Sequence, residues 1–151
     1  VKRFILILLC IVIGCSSPKY FFGELQEIRL IEFNNMHFIN VTLNGEKTRL
    51  LIDTGASKSL LDITQSKKYG FAYSKFTKKQ YIGLGGITDV YTVYYIKLKD
   101  IPFIAFLGGD LSEVREYFNK NEIYFVGILG ADFLEHYRCK IDFEKNILYY
   151  K

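Results

Sequence analysis

The segment H-F-I-N-V-T-L-N-G-E-K-T-R-L-L-I-D (residues 37–53) constrains the fold more than any other. Ile39, Val41 and Leu43 alternate with polar residues, the period of a strand with one buried face. Asn44-Gly45 then supplies the two residues that most readily adopt positive φ, so the spacing predicts a tight hairpin. The return strand ends in three aliphatic residues and delivers the chain to Asp53. A carboxylate is thereby placed on the lip of an apolar core, directly before Thr54 and the permissive Gly55.

Other segments repeat this scheme. E-I-R-L-I-E-F (27–33) alternates weakly. Two strand-like arms surround Gly83, Gly85 and Gly86, and the second runs from Val90 to Leu98, with Ile96 and Leu98 alternating against Lys97 and Lys99. E-I-Y-F-V-G-I-L-G (122–130) reads as a buried strand ending in glycine. R-C-K-I-D-F and I-L-Y-Y-K predict a closing hairpin around Glu144, Lys145 and Asn146. D-I-T-Q-S-K-K-Y-G predicts a helical turn stopped by Gly70, and L-S-E-V-R-E-Y-F (111–118) has helical spacing with Ser112 as its cap. A-D-F-L-E-H-Y (131–137) predicts one short helix near the C-terminus. With 12 Tyr, 13 Phe and no Trp, the apolar set favours strands. The whole reads as one all-β domain, a barrel or a sandwich.

The first residues follow a different logic. V-K-R is basic, and Phe4 to Gly14 is an unbroken apolar run, about half of the ~20 residues that span a bilayer. This is the pattern of a secretory signal. V-I-G-C resembles a bacterial lipobox, which implies cleavage after Gly14 and lipidation of Cys15. The expected division is a signal over 1–14, a tether over 15–25 and a folded domain over 26–151. The protein would then sit in a bacterial cell envelope, held to the membrane through the lipid on Cys15 and exposed to the periplasm or the exterior. Cys10 would leave with the signal. Only Cys139 would remain free, in a strand context that predicts a buried thiol, so no internal disulfide is expected. His37 and His136 show no pattern that would activate it. The formal net charge of +4 is modest and no basic run marks a nucleic-acid surface, which excludes that class of partner.

Asp53 is the residue that can carry chemistry. If a second carboxylate lies close to such a group, the two share a proton, and the pair can activate water while protonating a carbonyl. L-L-I-D-T-G-A-S (50–57) resembles the active-site motif of aspartic proteases of the retropepsin type. Y-I-G-L-G-G-I-T (81–88) is similar to their glycine-rich flap, and V-G-I-L-G-A-D-F-L-E-H-Y-R-C-K-I-D-F-E-K-N-I-L-Y-Y (126–150) to their closing segment. The motifs occur in the family's order, and the bacterial retropepsin-like aspartyl proteases match best.

The resemblance implies a closed β-barrel with a flap hairpin and one short C-terminal helix. It implies an aspartic endopeptidase with Asp53 as catalytic carboxylate and Thr54 as the brace beneath the paired acids. Gly55 would support carboxylate and substrate through its backbone, and Ala56 would line the cleft. Gly83, Gly85, Gly86 and Ile87 would form the flap over a peptide or protein substrate, while Ile128, Leu129 and Gly130 pack behind the active-site loop. Neither metal nor organic cofactor is needed. Because the sequence has one Asp-Thr-Gly, the second acid is expected from a second copy, as a homodimer. Ala131 stands where retroviral members commonly carry an arginine that braces the dimer, so any such brace must be made differently here.

Asp132 lacks the Thr/Ser-Gly context of a catalytic acid and is read as a helix start. Asp62, Asp89, Asp100, Asp110 and Asp142 are read as solvated charges, and Lys67, Lys68, Lys78 and Lys79 as a solvated face. The G-L-G-G run is not a phosphate loop, because strand rather than helix follows it. The alternative function is a non-catalytic envelope lipoprotein that holds extended peptides by strand addition.

Overall fold

Asparagine turns lay down the first sheet. In the computed structural model, which describes residues 24–83 and 86–151, β1 (Gln26–Phe33), β2 (Met36–Leu43) and β3 (Glu46–Ile52) form an antiparallel meander. Asn44 and Gly45 have φ of 51° and 97°, as the hairpin signal requires, and Asn34 and Asn35 make the preceding turn with φ of 49° and 60°. Asn44 also ties down two distant segments. Its amide donates to the carbonyls of Tyr69 and Tyr95, and its Oδ1 accepts from the Lys97 N–H at 2.7 Å.

The remaining strands are β4 (Leu60–Asp62), β5 (Ala72–Gly83), β6 (Gly86–Tyr94), β7 (Leu98–Lys99), β8 (Leu107–Gly109), β9 (Gly127–Leu129), β10 (Lys140–Asp142) and β11 (Ile147–Tyr150). They join in the order β10-β11-β1-β2-β3-β9-β4-β8-β6-β5, with β7 branching from β2. This path makes a barrel-like, mostly β body whose described strands leave β10 and β5 as free edges. The helices are short: α1 (Ser66–Tyr69), α2 (Ser112–Asn119) and α3 (Ala131–His136), with a 3-10 turn at Ile63–Gln65. Gly70 closes α1 in the left-handed conformation at φ 66°.

Two apolar clusters explain the aliphatic run before Asp53. Ile39, Val41, Leu43 and Leu50 point into one, beside Leu61, Leu129 and Phe133. Phe38 and Leu51 point into the other, where Phe118 and Leu111 of the α2 region meet Phe125 and Ile128. Phe118 sits edge-on to both Phe38 and Phe125, at 5.3 and 5.4 Å. With both faces covered, the end of β3 must be apolar at successive positions.

Several elements differ from the sequence reading. The strand expected over 122–130 shrinks to β9, although Phe125 and Val126 are buried and Val126 still bonds the Arg49 carbonyl. The arm expected to reach Leu98 breaks at Tyr95, where φ is 61°. Ser112 is the first residue of α2 and not its cap; the Asp110 carboxylate accepts its N–H at 2.9 Å instead. Each of the three helical segments read from the sequence forms a short helix among the described residues.

Asp62 corrects the sequence reading most sharply. It is fully buried, whereas Asp89, Asp110 and Asp142 serve exposed pairs and turns as expected. Its Oδ1 accepts from the N–H and hydroxyl of Thr64, capping the 3-10 turn, and its Oδ2 meets Arg115 Nε at 2.7 Å. The pair joins β4 to α2. Arg115→Met should strand a buried carboxylate and cost about 3–5 kcal/mol, read as a lower urea midpoint; an unchanged midpoint would show that the pair contributes nothing.

Candidate functional site

β3 ends at Ile52, and Asp53 continues its alignment for one more bond, its N–H donating to the Leu129 carbonyl at 3.1 Å. The parallel pairing of β3 with β9 (Ile52 opposite Leu129) therefore aims the carboxylate. The chain then turns, with the Ala56 N–H on the Asp53 carbonyl. Asp53 is half-buried, and its Oδ1 accepts the Gly55 N–H at 2.9 Å. A Cβ at Gly55 would lie 3.2 Å from that oxygen, so glycine keeps the carboxylate uncrowded. Thr54 and Gly55 are exposed. Ala56 is half-buried against the second apolar cluster.

The loop is closed by a clasp that the sequence reading did not foresee. Ser59 is fully buried. Its hydroxyl donates to Asp132 Oδ1 at 2.7 Å and accepts the Gly130 N–H at 3.0 Å. Its N–H faces both Asp132 oxygens, at 3.0 and 3.1 Å. The Ala131 N–H donates to the Ala56 carbonyl at 2.7 Å. Gly130 is so close that a Cβ would meet Ala56 O and Lys58 C at 2.7 Å. Ile128, Leu129 and Gly130 thus lie behind the loop, as expected. Asp132 does open α3, and in the same position it holds the loop that carries Asp53. The one available signal was its place directly after I-L-G-A; nothing in the sequence marks Ser59.

The candidate flap is the β5–β6 hairpin, where Ile82 pairs with Ile87 and Gly83 with Gly86. Gly85 falls outside the described residues, as do Cys15 and the apolar run before it. A cavity of about 510 Å³ flanks the loop, lined by Lys58, Phe103, Ile104, Leu107, Asp132 and His136 among others.

Cys139 is half-buried, and burial pushes its thiol up to about 11. The thiolate is the reactive form, so this cysteine is a packing residue. His37 lies against Phe143 and His136 against Tyr137. Ser59→Ala should leave Asp132 short of a donor and lower stability by about 1–3 kcal/mol in urea titration; a neutral result would remove the clasp from the account.

Comparison with known proteins places this geometry. The family model described as gag-polyprotein putative aspartyl protease matches residues 39–136, from β2 through α3. The UBA domain-containing protein Mud1 of Schizosaccharomyces pombe is 26% identical over 121 residues, covering 75% of this chain and 32% of Mud1. The chain thus spans about a third of that relative's length. Among solved structures, a retropepsin-like aspartic protease from Rickettsia conorii superposes with a TM-score of 0.50 at 23% identity, over 84% of this chain and 92% of that one. The retroviral protease-like domain of Ddi1 from Leishmania major gives 0.46 at 19%, over 75% and 86%. The family match covers well over half of the sequence, with the Asp53 loop and its Asp132 clasp inside it, and the chain belongs to the retropepsin-like aspartic protease family.

Proposed function

We propose that the chain is an aspartic endopeptidase whose working unit is a homodimer, with one Asp53 from each copy. The carrying observation is Asp53 itself: a half-buried carboxylate, hydrogen-bonded by Gly55 and held on a clasped loop within a retropepsin-like frame. In a dyad of two such groups, one is ionised and the other protonated. The ionised carboxylate takes a proton from water as its oxygen attacks the scissile carbonyl carbon. The protonated partner gives its proton to the carbonyl oxygen. Return of a proton to the amide nitrogen then breaks the C–N bond.

The fold's contribution is position. The clasp fixes the loop before substrate arrives, so little is lost in ordering it at the moment of reaction. The exposed Thr54 is the residue through which the two loops would brace each other. The β5–β6 hairpin, with Gly83, Gly85, Gly86 and Ile87, would close over an extended peptide and exclude water. Lipidation of Cys15 would hold the domain at a bacterial envelope membrane and raise the local concentration of copies that must pair.

A peptide-library cleavage assay tests the reading. Asp53→Asn should lower turnover by about 10²–10⁴-fold without loss of folding, and the wild-type rate should follow a bell-shaped pH profile. Undiminished cleavage by the Asn variant would rule out the mechanism.

A further inference from the structure

The outer face of β1–β3 is only partly covered. At one end Phe38 and Leu51 lie under Phe118. Further back along the strands the same face carries Asn40 opposite Arg49 and Thr42 opposite Lys47. This region borders a groove of about 830 Å³ whose lining includes Arg29, Lys47, Arg49 and Lys68 together with the carboxylates of Glu27 and Asp100. Arg49 is four residues before Asp53 on the same run, roughly 13 Å at the rise of a strand. The Phe38–Leu51–Phe118 packing lies between, so the groove is separate from the candidate catalytic loop.

Its cations are available. Among the described residues, the four ion pairs involve Lys78, Arg115, Lys120 and Lys145, and none of the groove's basic groups. The ammonium of Lys68 rests 5.0 Å from the ring centre of Tyr69. Arg49 is the telling residue. Its Nε is buried and has no hydrogen-bond acceptor among the described residues. A buried donor of a charged group is costly to leave unmet, and a small turn of the side chain toward the groove would let a guanidinium edge meet two oxygens of one anion.

We propose that this groove is a binding site for a phosphate-type oxyanion, with Arg49 as the central ligand and Lys47 beside it. A free phosphate compound or a phospholipid headgroup would present the same oxygens. The site is independent of the peptidase reading, because its binding needs neither Asp53 nor a second copy.

The test is the melting temperature of the full chain against inorganic phosphate at constant ionic strength. Wild type and Asp53→Asn should show the same saturating rise. Lys47→Gln and Arg49→Gln should need at least about tenfold more phosphate for half-saturation, and Lys140→Gln, exposed on β10, should match wild type. Lys47 is itself exposed, so its variant should fold even if Arg49→Gln does not. A rise that never saturates, or that persists in the Lys47 variant, overturns the proposal. Sedimentation with phosphatidylglycerol but not phosphatidylcholine vesicles, lost in Lys47→Gln, assigns the anion to a headgroup. Saturable phosphate binding without sedimentation assigns it to a soluble compound.

Discussion

The contact between Ser59 and Asp132 is the one on which the candidate site depends. Asp53 makes the last sheet-like bond beyond the end of β3, and the exposed residues that follow it would not by themselves hold a carboxylate in place. Three groups from one short stretch do so. The Gly130 N–H meets the Ser59 hydroxyl, the Ala131 N–H meets the Ala56 carbonyl, and the Asp132 carboxylate takes both the hydroxyl and the N–H of Ser59. The bare Gly130 permits the backbones to touch. Because Ser59 is fully buried, each bond replaces one that water cannot supply, which makes the clasp costly to open.

The rest of the fold supports that stretch from behind. β9 lies parallel to β3 and antiparallel to β4, so the strand leading into the clasp is bonded on both sides. A Cβ at Gly127 would sit 2.2 Å from the Leu60 carbonyl, so only glycine lets β4 approach. β4 ends at Asp62, whose ion pair with Arg115 secures α2, and α2 in turn covers Phe38 and Leu51. One path of burial thus runs from helix to sheet to the Asp53 loop.

Much of this was legible in the residues. Alternation and Asn44-Gly45 announced the β2–β3 hairpin, and Gly70 the end of α1, because both depend on local backbone preferences. The candidate flap and the closing hairpin were legible for the same reason. The burial of Asp62 was not. Its place at a strand end looks like any solvated aspartate, and its partner Arg115 lies 53 residues away. Ser59 and Asp132 are 73 residues apart, so their contact exists only once β9 is inserted between β3 and β4. The length of β9 was overread because Tyr124, Phe125 and Val126 are apolar, while hydrogen bonding limits the strand to three residues. The Arg49 groove was also hidden, since one face of an alternating strand does not reveal where a covering helix stops.

The central claim is that catalysis needs two copies of Asp53, each held by its own clasp. Refolding wild-type and Asp53→Asn chains together in equal amounts tests it most directly. If active dimers require an aspartate from both copies, random pairing leaves about one quarter of the all-wild-type cleavage rate per total chain. A rate of about one half would mean that each chain works alone and would contradict the shared dyad.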